Sequence, residues 1–176
     1  RAEDGIRDDD VTGVQTCALP IYDVALQSDV SMATAEAEAS FGDGSMYLEK
    51  FVEDARHIEV QIIADEHGKS VARGERECSI QRRHQKLIEE TPSTALKDSV
   101  RSKMLKAAVK VAKATHYSNA GTVEFLYDDE TSNFYFIEFN ARIQVEHPVT
   151  EEVFRKDLVV EQIRVASGEH LSFGNI

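Results

Sequence analysis

The sequence predicts an α+β fold, an antiparallel sheet with flanking helices, on three observations. Residues 57–65, HIEVQIIAD, set Ile58, Val60, Ile62 and Ala64 against His57, Glu59 and Gln61, the period of a half-buried strand. From Ala95 to His116, Leu96, Val100, Met104, Ala107, Ala108, Val111 and Ala112 fall on one stripe of an amphipathic helix. AGTVEFLYDD and SNFYFIEFNARI read as two strands joined by a short acidic turn. Hairpin strands with helices packed to one side make the class α+β.

The remaining elements follow in order. SMATAEAEASF, residues 31–41, is rich in alanine and glutamate and reads as the end of a helix, with FGDGS as the turn after it. MYLEKFV, 46–52, reads as a short apolar strand. DEHGK is a hairpin turn, and SVARGERECSIQRR continues as one or two strands. HQKLIEETPS reads as a loop ending at Pro92, and Ser93 or Thr94 is placed to cap the long helix. Pro148 opens a final helix, with Glu151 and Glu152 at its positive end, that runs to near Gly168.

The first 21 residues have no helical or strand period. VTGVQTCALPI resembles the in-frame translation of an oligonucleotide adapter used in sequencing libraries, and RAEDGIRD resembles its other half. The expectation is that residues 1–21 are non-native and that 22–176 carry the domain.

Composition narrows the function. The 176 residues amount to one domain or a piece of one, and 41 % are hydrophobic, enough for a core. A formal charge of −12 argues against a nucleic-acid partner, which needs a basic face. No apolar run reaches the roughly 18 residues of a membrane span, and no secretory signal is visible. Cys17 and Cys78 lack metal-type spacing. They fit a reduced protein, cytoplasmic, or mitochondrial or plastid in a eukaryote.

Chemistry concentrates in two stretches. Glu124 lies on one hairpin strand, and Glu138 and Asn140 lie two apart on the next, hence on one face. Across the turn at 128–133, Glu124 and Glu138 can be opposite each other. Two carboxylates and an amide oxygen suit Mg²⁺ or Mn²⁺ with nucleotide phosphates completing the shell, although a solvated face with incidental acids remains open. Arg142, Gln144 and Glu146 continue every second position along that face, where an arginine beside a carboxylate can hold an oxyanion and a base together. The second stretch, Glu75 to Lys86, gathers Gln81, Arg82, Arg83, His84 and Lys86 into a cationic island suited to phosphate or bicarbonate. A basic exposed loop is the alternative. His57, Glu49 and Lys50, taken singly, read as ordinary surface.

Together, MYLEKFVEDARHIEVQI, ERECSIQRRHQKLIEETPS, GTVEFLY and FIEFNARIQVEHPVTE resemble the biotin carboxylases, over roughly residues 31–176. That resemblance implies an ATP-grasp fold, of which this chain would be a fragment. It implies that ATP activates bicarbonate as carboxyphosphate and that N1′ of biotin on a carrier protein is then carboxylated. By motif position, Glu49, Lys50 and Val52 would meet the adenine, Leu126 would pack near the base, and His57, Gln81 and His84 would contact nucleotide. Glu124, Glu138 and Asn140 would bind metal, with two Mg²⁺ or Mn²⁺ ions expected. Lys86, Arg142, Gln144 and Val145 would hold bicarbonate, Glu146 would be the base that takes its proton, and Arg142 would also be catalytic. The implied partners are a biotin carboxyl carrier, a carboxyltransferase and, for the longer parent, a second copy in a homodimer. The family's N-terminal lobe, its glycine-rich phosphate loop and its C-terminal lobe have no counterpart here, so the chain alone is expected to be inert. A carbamoyl-phosphate synthase-type ligase and a non-catalytic nucleotide-binding module are the alternatives.

Overall fold

The computed structural model describes residues 22–49, 51–83, 85–172 and 174; the adapter-like stretch 1–21 lies outside them. The chain divides into two compact units, Arg1–Phe51 and Val52–Ile176. In the first, helix α1, Asp23–Phe41, ends at Gly42, whose left-handed backbone (φ 72°) lets its N–H reach Glu38 O. Residues 46–49, expected to begin a strand over 46–52, have no regular structure, and Tyr47 and Leu48 are exposed. Apolar character without a neighbouring strand does not make an element.

The second unit is built on one five-stranded antiparallel sheet in the order β3-β2-β1-β4-β5. The strands are β1 (Arg56–Ala64), β2 (Ser70–Arg82), β3 (Gln85–Glu90), β4 (Asn119–Asp128) and β5 (Asn133–Asn140). β3 replaces the loop expected there: Ile80 pairs with Ile88 and Gln81 with Lys86, so a charged, exposed sequence is recruited as an edge strand by its neighbour.

Helix α2, Asp98–Ala114, lays Val100, Met104, Ala108 and Ala112 on the sheet, an i, i+4 ladder whose alanines allow close approach. Ile58, Val60 and Ile62 of β1 and Val123, Phe125 and Tyr127 of β4 meet it. Each large side chain buried here contributes about 1.5–3 kcal/mol. The expected cap is absent: the helix begins after Lys97, and the Ser93 hydroxyl instead donates to Glu77 Oε2 at 2.5 Å.

Helices cover both faces of the sheet, not one. Ile63, next to Ile62 and therefore pointing the other way, packs with Val71, Val165 and Leu171. Val165 lies on α4 (Leu158–Ala166), which follows α3 (His147–Phe154). These two replace the single expected helix. Arg155 (φ 50°) breaks the run, and α4 restarts with Asp157 accepting from Val160 N and Glu151 accepting from Leu158 N. Glu151 thus caps the second helix rather than favouring the dipole of the first. With helices on both faces, β1 is buried throughout positions 58–64 and is not half-solvated. Among the described residues no helix is long and apolar enough to cross a membrane.

One glycine is fixed by geometry. Gly74 forms the bulge where the β1–β2 register shifts between Val60 and Ile62, at φ 77°. A Cβ there would lie 2.5 Å from Phe154 Cζ on α3. Gly74→Ala is expected to cost roughly 2–4 kcal/mol, from the backbone strain plus the overlap. In urea melts, a second change, Phe154→Leu, should recover only the overlap share.

Candidate active site

The site grows from the sheet face opposite α2. On it, β1 presents His57, Glu59 and Gln61, β2 presents Arg76, and β4 presents Thr122, Glu124 and Leu126. Glu59, Gln61, Arg76 and Thr122 are 0 % exposed. A polar row is stable at that depth only if its groups satisfy one another, and Arg76 does this for its neighbours. Its Nε donates to Glu59 Oε1, its Nη1 to Gln61 Oε1 (2.8 Å) and Thr150 Oγ1 (2.9 Å), and its Nη2 to Thr122 Oγ1 (3.3 Å) and Gln144 Oε1 (3.2 Å). All five guanidinium N–H groups have an acceptor.

β4 and β5 pair with Glu124 directly opposite Glu138, and Thr122 opposite Asn140. Asn140 Nδ2 donates to Glu124 Oε1 (2.9 Å) and Glu138 Oε1 (3.2 Å), so the three side chains converge. β5 does not keep one alternation throughout. The register shifts so that Phe125 faces Phe136 while Glu124 faces Glu138, leaving Ile137 as the extra residue of a bulge. The bulge exchanges faces: Phe134 and Phe136 stack edge-on to Phe125 on the α2 side, while Glu138 and Asn140 serve the polar side.

β5 ends at Asn140, so residues 141–146 are not the strand continuation expected from every-second spacing. They cross over the sheet as a turn, and Gln144 and Glu146 return to the site. Gln144 accepts from Arg76 and donates to Glu124 Oε1 at 2.8 Å. Glu146 accepts from Lys86 Nζ at 2.6 Å. Arg142 is exposed and donates to Ile143 O at 3.3 Å. Val145 is 90 % exposed.

The cationic island divides. Lys86 turns inward from β3 and contacts Glu59, Glu124 (3.1 Å) and Glu146, while Arg82 and Arg83 stay exposed. Gln81 uses its amide nitrogen twice, to Cys78 O and to His57 Nδ1, both at 2.8 Å. With Nδ1 accepting, His57 carries its proton on Nε2, which lies 2.5 Å from Glu124 Oε2. Leu126 is the register partner of His57 and is half-buried. Glu49 is exposed in the first unit, Val52 is half-buried in the second, and Lys50 and His84 lie outside the described residues.

Charge is shared unevenly. Burial alone would raise the Glu124 carboxyl, but contacts with His57, the Lys86 ammonium and the Gln144 amide outweigh it and hold it at about 2. Burial would also raise Glu146, and Lys86 holds it down. Burial would lower Lys86; the charges of Glu59 and Glu124 and the contact with Glu146 push it up instead. Burial pushes the Cys78 thiol far up. Because the folded value of Glu124 is depressed, its stabilisation is present above the ordinary value of 4.5 and is lost as pH falls toward 2. That loss amounts to about 3 kcal/mol. Urea melts across that window should show it, and Glu124→Gln should flatten it.

Can these residues hold a divalent cation? Glu59, Glu124, Glu138 and Glu146 bring four carboxylates together around Lys86 and Arg76. Glu124 and Glu138 offer carboxylate oxygens, and a half-turn of the Asn140 amide would add its oxygen. The donor set is all oxygen and includes two carboxylates, the ligand chemistry that hard divalent cations take, so Mg²⁺ or Mn²⁺ fits. Sequence reasoning missed Glu59, Gln61, Arg76, Thr122 and Thr150. One signal was available: the row His57, Glu59, Gln61 ends in the apolar Ile63, which a solvated face has no reason to do.

Residues 21–173 match the family described as "Carbamoyl-phosphate synthase L chain, ATP binding domain". The chain is 59 % identical over 133 residues to biotin carboxylase 2 of Bacillus subtilis, covering 76 % of this chain and 30 % of that protein. A biotin carboxylase of Campylobacter jejuni, solved as a complex named for β-γ-ATP, superposes with a TM-score of 0.79 at 47 % identity, over 86 % of this chain and 34 % of that one. The biotin carboxylase domain dimer of the Hydrogenobacter thermophilus 2-oxoglutarate carboxylase, with MgADP, ADP and bicarbonate, gives 0.76 at 47 % identity, over 85 % and 33 %. The chain therefore spans about a third of the length of these relatives. The five-stranded sheet with its flanking helices is that of the ATP-grasp biotin carboxylases. The chain belongs to the carbamoyl-phosphate synthase L chain ATP-binding domain family and, within it, to the biotin carboxylases.

Proposed function

We propose that this segment supplies the metal-binding and bicarbonate-binding side of an ATP-dependent biotin carboxylase. The parent protein would activate bicarbonate as carboxyphosphate and pass the carboxyl group to biotin on a carrier protein. Its partners would be that carrier and a carboxyltransferase, and a second copy of the parent would complete a homodimer. One observation carries the reading. Glu124, Glu138 and Asn140 converge from paired strands, and the turn that follows returns Gln144 and Glu146 to the same place, beside Lys86.

Glu124, Glu138 and Asn140 would hold Mg²⁺ or Mn²⁺, which neutralises charge on transferring phosphate. Lys86 and Gln144, with Arg142 swinging in from its exposed position, would bind bicarbonate. Glu146 would take the bicarbonate proton. The freed oxygen would then attack the terminal phosphorus of ATP, with ADP leaving. A base held down by an ammonium is a weak one. An anion that draws Lys86 away from Glu146 would restore its basicity at the moment it is needed. Holding the reactants within contact supplies most of the rate. His57, Gln81 and Leu126 would line the nucleotide side.

A titration with Mn²⁺ and ¹³C-bicarbonate tests the reading. The chain should enhance the ¹³C relaxation of bicarbonate only when Mn²⁺ is present. Failure of either ion to bind at millimolar concentration would contradict it.

A further inference from the structure

Three structural facts single out Arg76. It is buried at 0 % exposure, deeper than any group proposed to touch substrate. Its donors reach five partners on β1 (Glu59, Gln61), β4 (Thr122), the 141–146 turn (Gln144) and α3 (Thr150), which ties the sheet to the segment that crosses it. It also fixes the sense of one amide. With Oε1 of Gln144 held by Arg76, only Nε2 remains to donate, and it is aimed at Glu124 Oε1.

The geometry points to Arg76 as a positioning residue that sets the bicarbonate-side turn against the metal-side strands, through Gln144. This rests on the function proposed above. The metal trio does not need Arg76. Glu124, Glu138 and Asn140 are aligned by β4–β5 pairing and by their own amide contacts. Residues 141–146 have no strand partner, and among the described residues their side-chain ties into the sheet face run through Gln144 to Arg76 and Glu124 and through Glu146 to Lys86. Lysine at position 76 would keep the charge but has three donors for five acceptors and no planar fork. Gln144 would be the partner given up most readily, since Glu59 competes as a full carboxylate.

The test separates two affinities in the whole chain. In Arg76→Lys, Mn²⁺ affinity measured by electron paramagnetic resonance should stay within threefold of the parent chain. The Mn²⁺-dependent relaxation enhancement of ¹³C-bicarbonate should fall at least fivefold. A purely structural role would lower both in proportion to the folded fraction read by circular dichroism, and that result overturns the inference, as does an unchanged enhancement. If Arg76→Lys does not fold, Thr150→Val removes a single acceptor and leaves the arginine in place. It should lower the enhancement two- to threefold at constant Mn²⁺ affinity, and no change there overturns the inference. Absence of Mn²⁺ or bicarbonate binding in the unmodified chain is a different outcome: it removes the underlying functional reading and the role of Arg76 with it.

Discussion

Lys86→Met should destabilise the second unit by about 3 kcal/mol at neutral pH, the scale expected when one partner of a buried charge cluster is removed. Methionine keeps the length of the methylene stem, so packing changes little. What disappears is the ammonium between Glu59, Glu124 and Glu146. Three buried carboxylates then face one another with Arg76 as their main compensation, and Arg76 is committed to Glu59. The pH dependence identifies the cause. In the parent chain Lys86 helps hold the Glu124 and Glu146 carboxyls below their ordinary range. Without it their folded values rise, so the variant has less of this stabilisation to lose as the carboxyls are protonated. The stability gap between parent and variant should therefore narrow as pH falls from about 4.5 toward 2, in urea melts at each pH. A gap that stays constant would mean that Lys86 acts through its apolar stem.

Glu138→Gln should weaken Mn²⁺ binding at least thirtyfold, about 2 kcal/mol, while leaving stability within about 0.5 kcal/mol, as for a surface substitution. The two effects separate because of where the residue sits. β5 is an edge strand and Glu138 is half-buried, so an isosteric amide keeps its packing and can still meet Asn140. A hard divalent cation loses a charged ligand. Unchanged Mn²⁺ affinity would move the ion off Glu138, for example to the cluster in which His57, Glu59 and Glu124 atoms lie within 4.8 Å of one another.

How much of this could be read from sequence depends on whether a signal was local. The β4–β5 hairpin was legible because its turn and its alternation fix the register, and with it the facing of Glu124 and Glu138. The stripe of α2 was legible for the same reason. β3 was not, since Gln85–Glu90 is exposed and charged and becomes a strand only because β2 offers an open edge. The bulge at Ile137 was invisible because every-second spacing looks unbroken on either side of it. The buried face of β1 escaped because Glu59 and Gln61 are the residues a solvated strand would carry. Only the return of the 141–150 segment, with Gln144 and Thr150 reaching Arg76, buries them. The match EFNARIQVEHPVTE marked a stretch whose polar side chains the structure gathers in one place, yet not as a continuous strand. The chemistry is arranged by a turn that leaves the sheet and comes back.

The most direct measurement is a crystal of the chain grown or soaked with Mn²⁺, examined at a wavelength where manganese scatters anomalously. A peak is expected within coordination distance of oxygens from Glu124, Glu138 and Asn140, with the Asn140 amide turned to present Oδ1. A peak between His57, Glu59 and Glu124, or an ordered Asn140 still donating to both carboxylates in a manganese-saturated crystal, would contradict it.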